Sequence, residues 1–126
     1  MNSVGRVVPN RGPIVQLSIQ RPDDREHEIE ALLDTGFNGF LALPSSIIEA
    51  FSLPHLGREQ VALANGKVHF TRKYEVTVRF AGTVQSVEVV EAGEPIVGMA
   101  LLRGYDLQVQ CVDGGAVRLE THSEED

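Results

Sequence analysis

Apolar and polar residues alternate with a period of two along most of the chain, as they do in strands with one face turned to a core. From Pro13 to Gln20, Val15, Leu17 and Ile19 alternate with Gln16, Ser18 and Gln20. The run Arg21-Pro22-Asp23-Asp24-Arg25 turns the chain, and Ile29, Ala31 and Leu33 resume the alternation, so that a strand ends by delivering Asp34 into a loop. Phe40-Leu41-Ala42-Leu43 predicts a further short strand, stopped by Pro44. Ser45 is placed to N-cap a short helix through Ile47, Ile48 and Phe51, and Pro54 prevents much continuation.

The second half reads mostly as strand: Val61 to Ala64, then Val68, Phe70, Arg72, Tyr74, Val76, Val78 and Phe80 on one face of a long alternating run. Asn65-Gly66 lies between them, and both residues tolerate the positive φ that a two-residue type I′ hairpin turn requires. Ala81-Gly82 marks a second turn and Val84 to Val90 another strand. Pro95-Ile96-Val97-Gly98 is a compact apolar segment, followed by a one-turn helix over Met99 to Arg103 that Gly104 can end. Tyr105, Leu107, Val109 and Cys111 alternate, Asp113-Gly114-Gly115 turns, and Ala116 to Leu119 closes the fold. Many short strands with close turn signals and two short helices predict an all-β barrel or sandwich. Residues 1–12 read as a flexible N-terminal arm and 121–126 as an acidic tail, both loose unless a partner orders them.

The 126 residues fit one domain with a single core. With 18 acidic and 11 basic residues the formal charge is -7, which repels a polyanion at long range, so nucleic acid is not an expected ligand. No run of roughly 18 apolar residues suggests a membrane span. The single Cys111 has no internal disulfide partner, and no apolar secretion segment opens the chain, so a cytoplasmic location is expected. Its place in the alternation predicts burial of Cys111 as a small apolar residue. His27, His55, His69 and His122 lack the paired spacing of zinc ligands.

Asp34-Thr35-Gly36, preceded by Leu32-Leu33, resembles the active-site motif of the pepsin and retropepsin superfamily, and Asp34-Thr35-Gly36-Phe37 is similar to that of its small single-domain subgroup. Other features fall in the family's order: an Asn-Gly hairpin, then Ile96-Val97-Gly98, then a short helix. The resemblance covers about Pro13 to Glu120. It implies a retropepsin-like acid-protease barrel, mainly β with two short helices, one lobe per chain. Because the chain holds one such motif, the second carboxylate would come from a second copy, and a two-fold homodimer would set two Asp34 side chains together. Such a pair shares one proton; the ionised member takes a proton from water while the neutral one donates to the scissile carbonyl.

By the same resemblance, Thr35 bonds across to the partner loop and Gly36 lets substrate backbone come close. Ala64, Asn65, Gly66 and Lys67 form a flap tip over an extended peptide, which such clefts hold by main-chain hydrogen bonds. Ile96, Val97 and Gly98 form the loop packed behind the catalytic one, and Phe37, Asn38 and Gly39 line the substrate side. No metal or organic cofactor is implied. Retroviral members carry a small and an acidic residue where Phe37, Asn38 and Gly39 stand, and a more glycine-rich flap. Their terminal dimer sheet has no counterpart in Ser123-Glu124-Glu125-Asp126, where like charges would repel; Ala116 to Leu119 or the N-terminal arm remain as candidates for pairing two copies.

Read from residue types alone, Asp34-Thr35-Gly36 also suits an ordinary turn, and Asn65-Gly66 an ordinary hairpin. The sequence therefore carries two functions: a homodimeric aspartic endopeptidase, or the same fold kept as an inactive dimer that binds peptides or acts as a scaffold.

Overall fold

A computed structural model describes residues 2–62 and 64–123, apart from the side chains of residues 59, 61 and 62. In chain order it contains β1 (Asn2–Val8), β2 (Gly12–Gln20), β3 (Glu26–Leu33), β4 (Leu41–Leu43), helix α1 (Ser45–Ala50) and β5 (His55–Ala62). There follow β6 (Val68–Phe80), β7 (Thr83–Glu91), β8 (Ile96–Val97), helix α2 (Met99–Leu102), β9 (Tyr105–Val109) and β10 (Ala116–Thr121). All ten strands join one mixed sheet in the order β5-β6-β7-β4-β8-β3-β2-β1-β10-β9. A further pairing sets Ser18 opposite Arg79 and Ile19 opposite Val78, which brings β2 back to β6 and curls the middle of the sheet into a partial ring. The protein is thus mainly β, with two short helices.

The alternation predicted for β2 and β6 is what fills the core. Val15, Leu17 and Ile19 meet Val76, Val78 and Phe80 there, with Leu33, Leu41, Val89 and Val97 between them and Ile48, Phe51, Leu101 and Leu102 from the helical turns. Successive side chains point to opposite faces, so one slip of register would exchange these residues for Gln16, Ser18 and Arg79. At the β6–β7 turn Phe80 pairs with Thr83, and Ala81 and Gly82 both have positive φ, 51° and 81°. This is the two-residue type I′ geometry that the sequence reading assigned to Asn65-Gly66.

Several expectations are corrected. The N-terminal arm is not loose: β1 lies between β2 and β10, with Arg6 opposite both Ile14 and Ala116. Gly5 and Arg6 of β1 are held on both sides, by β2 and β10, whereas Asn2 and Ser3 pair with β10 alone. Thr121, read as tail, belongs to β10, while residues 124–126 lie outside the described residues. Strand β5 begins at His55 rather than Val61; it is a sheet edge, and no alternation is enforced where neither face meets the core. The last pair of the β5–β6 hairpin is Ala62 with Val68, which leaves residues 63–67 between the strands, and of Asn65 and Gly66 only Gly66 has positive φ. Ser45 is the first helical residue of α1, whose N-cap is Pro44, and no side chain caps it; the Pro44 carbonyl accepts from Ile47 and Ile48 instead. Cys111 is exposed, because β9 ends at Val109 and the chain bends away before the alternation reaches it.

Ala81 occupies a left-handed conformation that costs an L-residue about 1 kcal/mol and that asparagine tolerates better. Ala81→Asn is expected to raise the stability by about 1 kcal/mol in urea titration, with no change in the slope.

Candidate active site

Asp34 follows the last residue of β3, and its own N–H donates to the Val97 carbonyl at 2.9 Å, one step beyond the parallel pairing of Leu33 with Val97. The chain then turns: Phe37 N–H donates to the Asp34 carbonyl (3.1 Å), and Gly36 N–H donates to Asp34 Oδ1 (2.8 Å). An aspartate bonding to the N–H two residues on is the usual way that this side chain fixes a turn. It leaves the second carboxylate oxygen uncommitted to this turn. Asp34 is half-buried, Thr35, Gly36 and Asn38 are exposed, and Phe37 and Gly39 are half-buried.

The strand β8 is inserted between the two arms of this loop. Val97 pairs with Leu33 of β3 on one side and with Leu41 of β4 on the other, so the loop from Asp34 to Phe40 bridges its end. Where β8 passes into α2, three N–H groups in succession donate to that loop: Gly98 to the Phe40 carbonyl (3.1 Å), Met99 to Phe37 (2.8 Å) and Ala100 to Gly39 (3.1 Å). The first N–H groups of a helix have no partner inside it, and here the Asp34 loop supplies the acceptors. Gly98 makes this approach possible. A Cβ placed on it would overlap the Gly39 carbonyl oxygen and stand 2.6 Å from Phe37 Cδ2 and 2.7 Å from the Phe37 carbonyl oxygen. Its φ of -107° is open to any residue, so the requirement is for space. The Phe37 ring also covers Gly39, where a Cβ would lie 2.6 Å from Cζ. Phe37 is thus seated over two glycines and closes the back of the turn. At Gly36 a Cβ would stand 3.1 Å from Asp34 Oδ1.

The structure therefore brings Asp34, Thr35, Gly36, Phe37, Asn38, Gly39, Ile96, Val97 and Gly98 into one unit. Ala64, Asn65, Gly66 and Lys67 stand apart from it, all exposed at the end of the β5–β6 hairpin, where Asn65 Oδ1 accepts from Lys67 N–H at 3.0 Å. Among the described residues no hydrogen bond links this tip to the Asp34 loop. Sequence reasoning missed the parts played by Phe40, Met99 and Ala100, which act through backbone atoms that residue type does not reveal. It also missed Arg58 and the first half of β5, since no apolar alternation marks them. Among the described residues no three His, Cys, Asp or Glu side chains converge as metal ligands would.

Because two backbone oxygens as well as the Phe37 ring face Gly98, Gly98→Ala is expected to cost about 1–3 kcal/mol in thermal or urea unfolding. Gly66→Ala, where a Cβ would have nothing within 4 Å, is expected to cost only the strain of its positive φ. No family model matches the sequence, and no curated protein is similar to it by sequence comparison.

Proposed function

We propose that this chain is one subunit of a homodimeric, retropepsin-like aspartic endopeptidase, with its partial ring of strands as one lobe of an acid-protease barrel. The observation that carries the reading is the Asp34 turn itself. A half-buried carboxylate, with one oxygen tied to Gly36 N–H, is held from behind by β8 and α2. This is a rigid mount for a group that must meet its symmetry mate within a fraction of an ångström. Two such carboxylates side by side hold one proton between them, and the ionised one draws a proton from water as that water attacks the peptide carbonyl. The neutral one donates to the carbonyl oxygen. No covalent intermediate forms, and the chemistry needs only water.

In this reading Thr35 reaches across to the partner's loop, Gly36 admits substrate backbone, and the β5–β6 hairpin is the flap with Ala64, Asn65, Gly66 and Lys67 at its tip. An extended peptide or protein is the substrate. The exposed thiol of Cys111 suits a reducing compartment, so we place the enzyme in the cytoplasm.

Purified protein is expected to cleave a mixed peptide library with a bell-shaped pH dependence. Asp34→Asn, which keeps an oxygen for Gly36 N–H and so the fold, is expected to lose that cleavage. If both proteins are dimeric and neither cuts, the peptide-binding or scaffolding dimer replaces the protease. Since each site needs two chains, specific activity should fall on dilution in step with the dimer fraction measured by sedimentation, and excess Asp34→Asn subunits should poison the wild type. Activity that is independent of concentration in a monomeric sample would rule out the shared site.

A further inference from the structure

The face of β6 that packs the core does not stop where the core stops. Val76, Val78 and Phe80 are buried, Tyr74 on the same side is half-buried, and beyond it Arg72, Phe70 and Val68 continue the same alternation in the open. Phe70 is 59% exposed and Val68 51%. Residues at alternate positions of a strand share a face, and the register shift in the β5–β6 pairing, between His55 and Gly57, puts its extra residue in β5 rather than in β6. The β5–β6 hairpin thus overhangs the core, with its core-side face turned to solvent.

Charge on this overhang is opposite to that of the rest of the molecule. Between His55 and Tyr74 lie Arg58, Lys67, Arg72 and Lys73, four of the 11 basic residues, but only Glu59 of the 18 acidic ones. Arg58 and Arg72 are direct cross-strand partners and both are exposed. Partners across an antiparallel pair project from the same face, and like charges there are destabilising. Among the described residues neither guanidinium has an acidic or hydrogen-bonding partner; the ion pairs of the basic residues described are Arg25 with Asp23, Lys73 with Glu88 and Arg79 with Glu26. Two unneutralised guanidiniums thus lie on the same face as exposed Phe70 and Val68, a combination suited to a ligand that brings both carboxylate and apolar groups.

We propose that the core-side face of the β5–β6 hairpin binds extended acidic peptides, with Arg58 and Arg72 clamping a carboxylate side chain and Phe70 and Val68 packing against apolar residues at alternate positions. Side chains spaced two apart along an extended peptide match the spacing of Arg72, Phe70 and Val68 along β6. The same hairpin of a second copy is a poor occupant, because it carries the same positive charge. The inference deepens the protease reading, in which this hairpin covers the substrate, and it rests on that reading for calling the peptide a substrate; the binding itself does not need Asp34.

The test uses the full chain carrying Asp34→Asn, so that binding is read without cleavage. Fluorescence anisotropy would compare a fluorescein-labelled peptide of alternating Val, Phe and Glu with its counterpart carrying Gln for Glu, and with one carrying phosphoserine. The Glu peptide is expected to bind about tenfold tighter than the Gln peptide at low salt, with the difference shrinking as salt rises. Arg58→Gln with Arg72→Gln, both exposed and checked by thermal melting, should erase the difference. Equal affinities, no binding by either, binding of the phosphoserine form alone, or a preference that survives the double variant would each overturn the proposal. Wild-type protein that never cleaves while this preference holds would sink the protease reading alone. Wild-type protein that cleaves Glu and Gln peptides equally well, with no preference in binding, would sink this inference alone.

Discussion

The geometry around Asp34 depends on a near-collision of two backbones. The start of α2 approaches the Phe37 and Gly39 carbonyls so closely that Gly98 has no room for a side-chain carbon. That approach lets three consecutive N–H groups, of Gly98, Met99 and Ala100, reach acceptors in the loop. Bonds of this kind fix the position of a loop from its backbone, without using its side chains. The same approach explains Phe37. Its ring lies over Gly39 and Gly98, occupying space that two side chains would otherwise need, and it gives an exposed turn a small apolar anchor of its own.

What could be read from the sequence follows from where the core reaches. In β2 and the far half of β6 every second residue is buried, so Val15, Leu17, Ile19, Val76, Val78 and Phe80 announce their strands by spacing alone. Ile96-Val97-Gly98 and the turn of helix after it were legible for the same reason, since Val97 and Leu101 are buried. Strand β1 and the first half of β5 were not. They are defined by backbone pairing, and none of their described side chains is fully buried, so no strict alternation marks them. Cys111 failed in the opposite direction: the alternation runs on in the sequence after the strand has ended at Val109. The candidate site was legible as residue types, but the insertion of β8 between β3 and β4 is a long-range relation that no local pattern contains.

A single strand, β6, serves two ends of the molecule. Over Val76 to Phe80 it is a central strand held by β7 and β2, while over Val68 to Arg72 it is one arm of a two-stranded ribbon. A ribbon of two strands has little stability of its own, so the second region takes its order from the first. The transition falls at Tyr74, which packs partly on the core and edge-on against His55, with ring centroids 5.4 Å apart. The strand is thus packed on the core at one end and held only by β5 at the other.

The position of β1 between β2 and β10 bears on how the molecule is made. Residues near the start of the chain find one neighbour at once, in β2, but their other neighbour runs through Ala116 to Leu119. Contacts so distant in sequence slow the search for the native state, and during synthesis they cannot form until β10 has left the ribosome. A chain interrupted before β10 would carry an unpaired edge on β1, open to association with other chains.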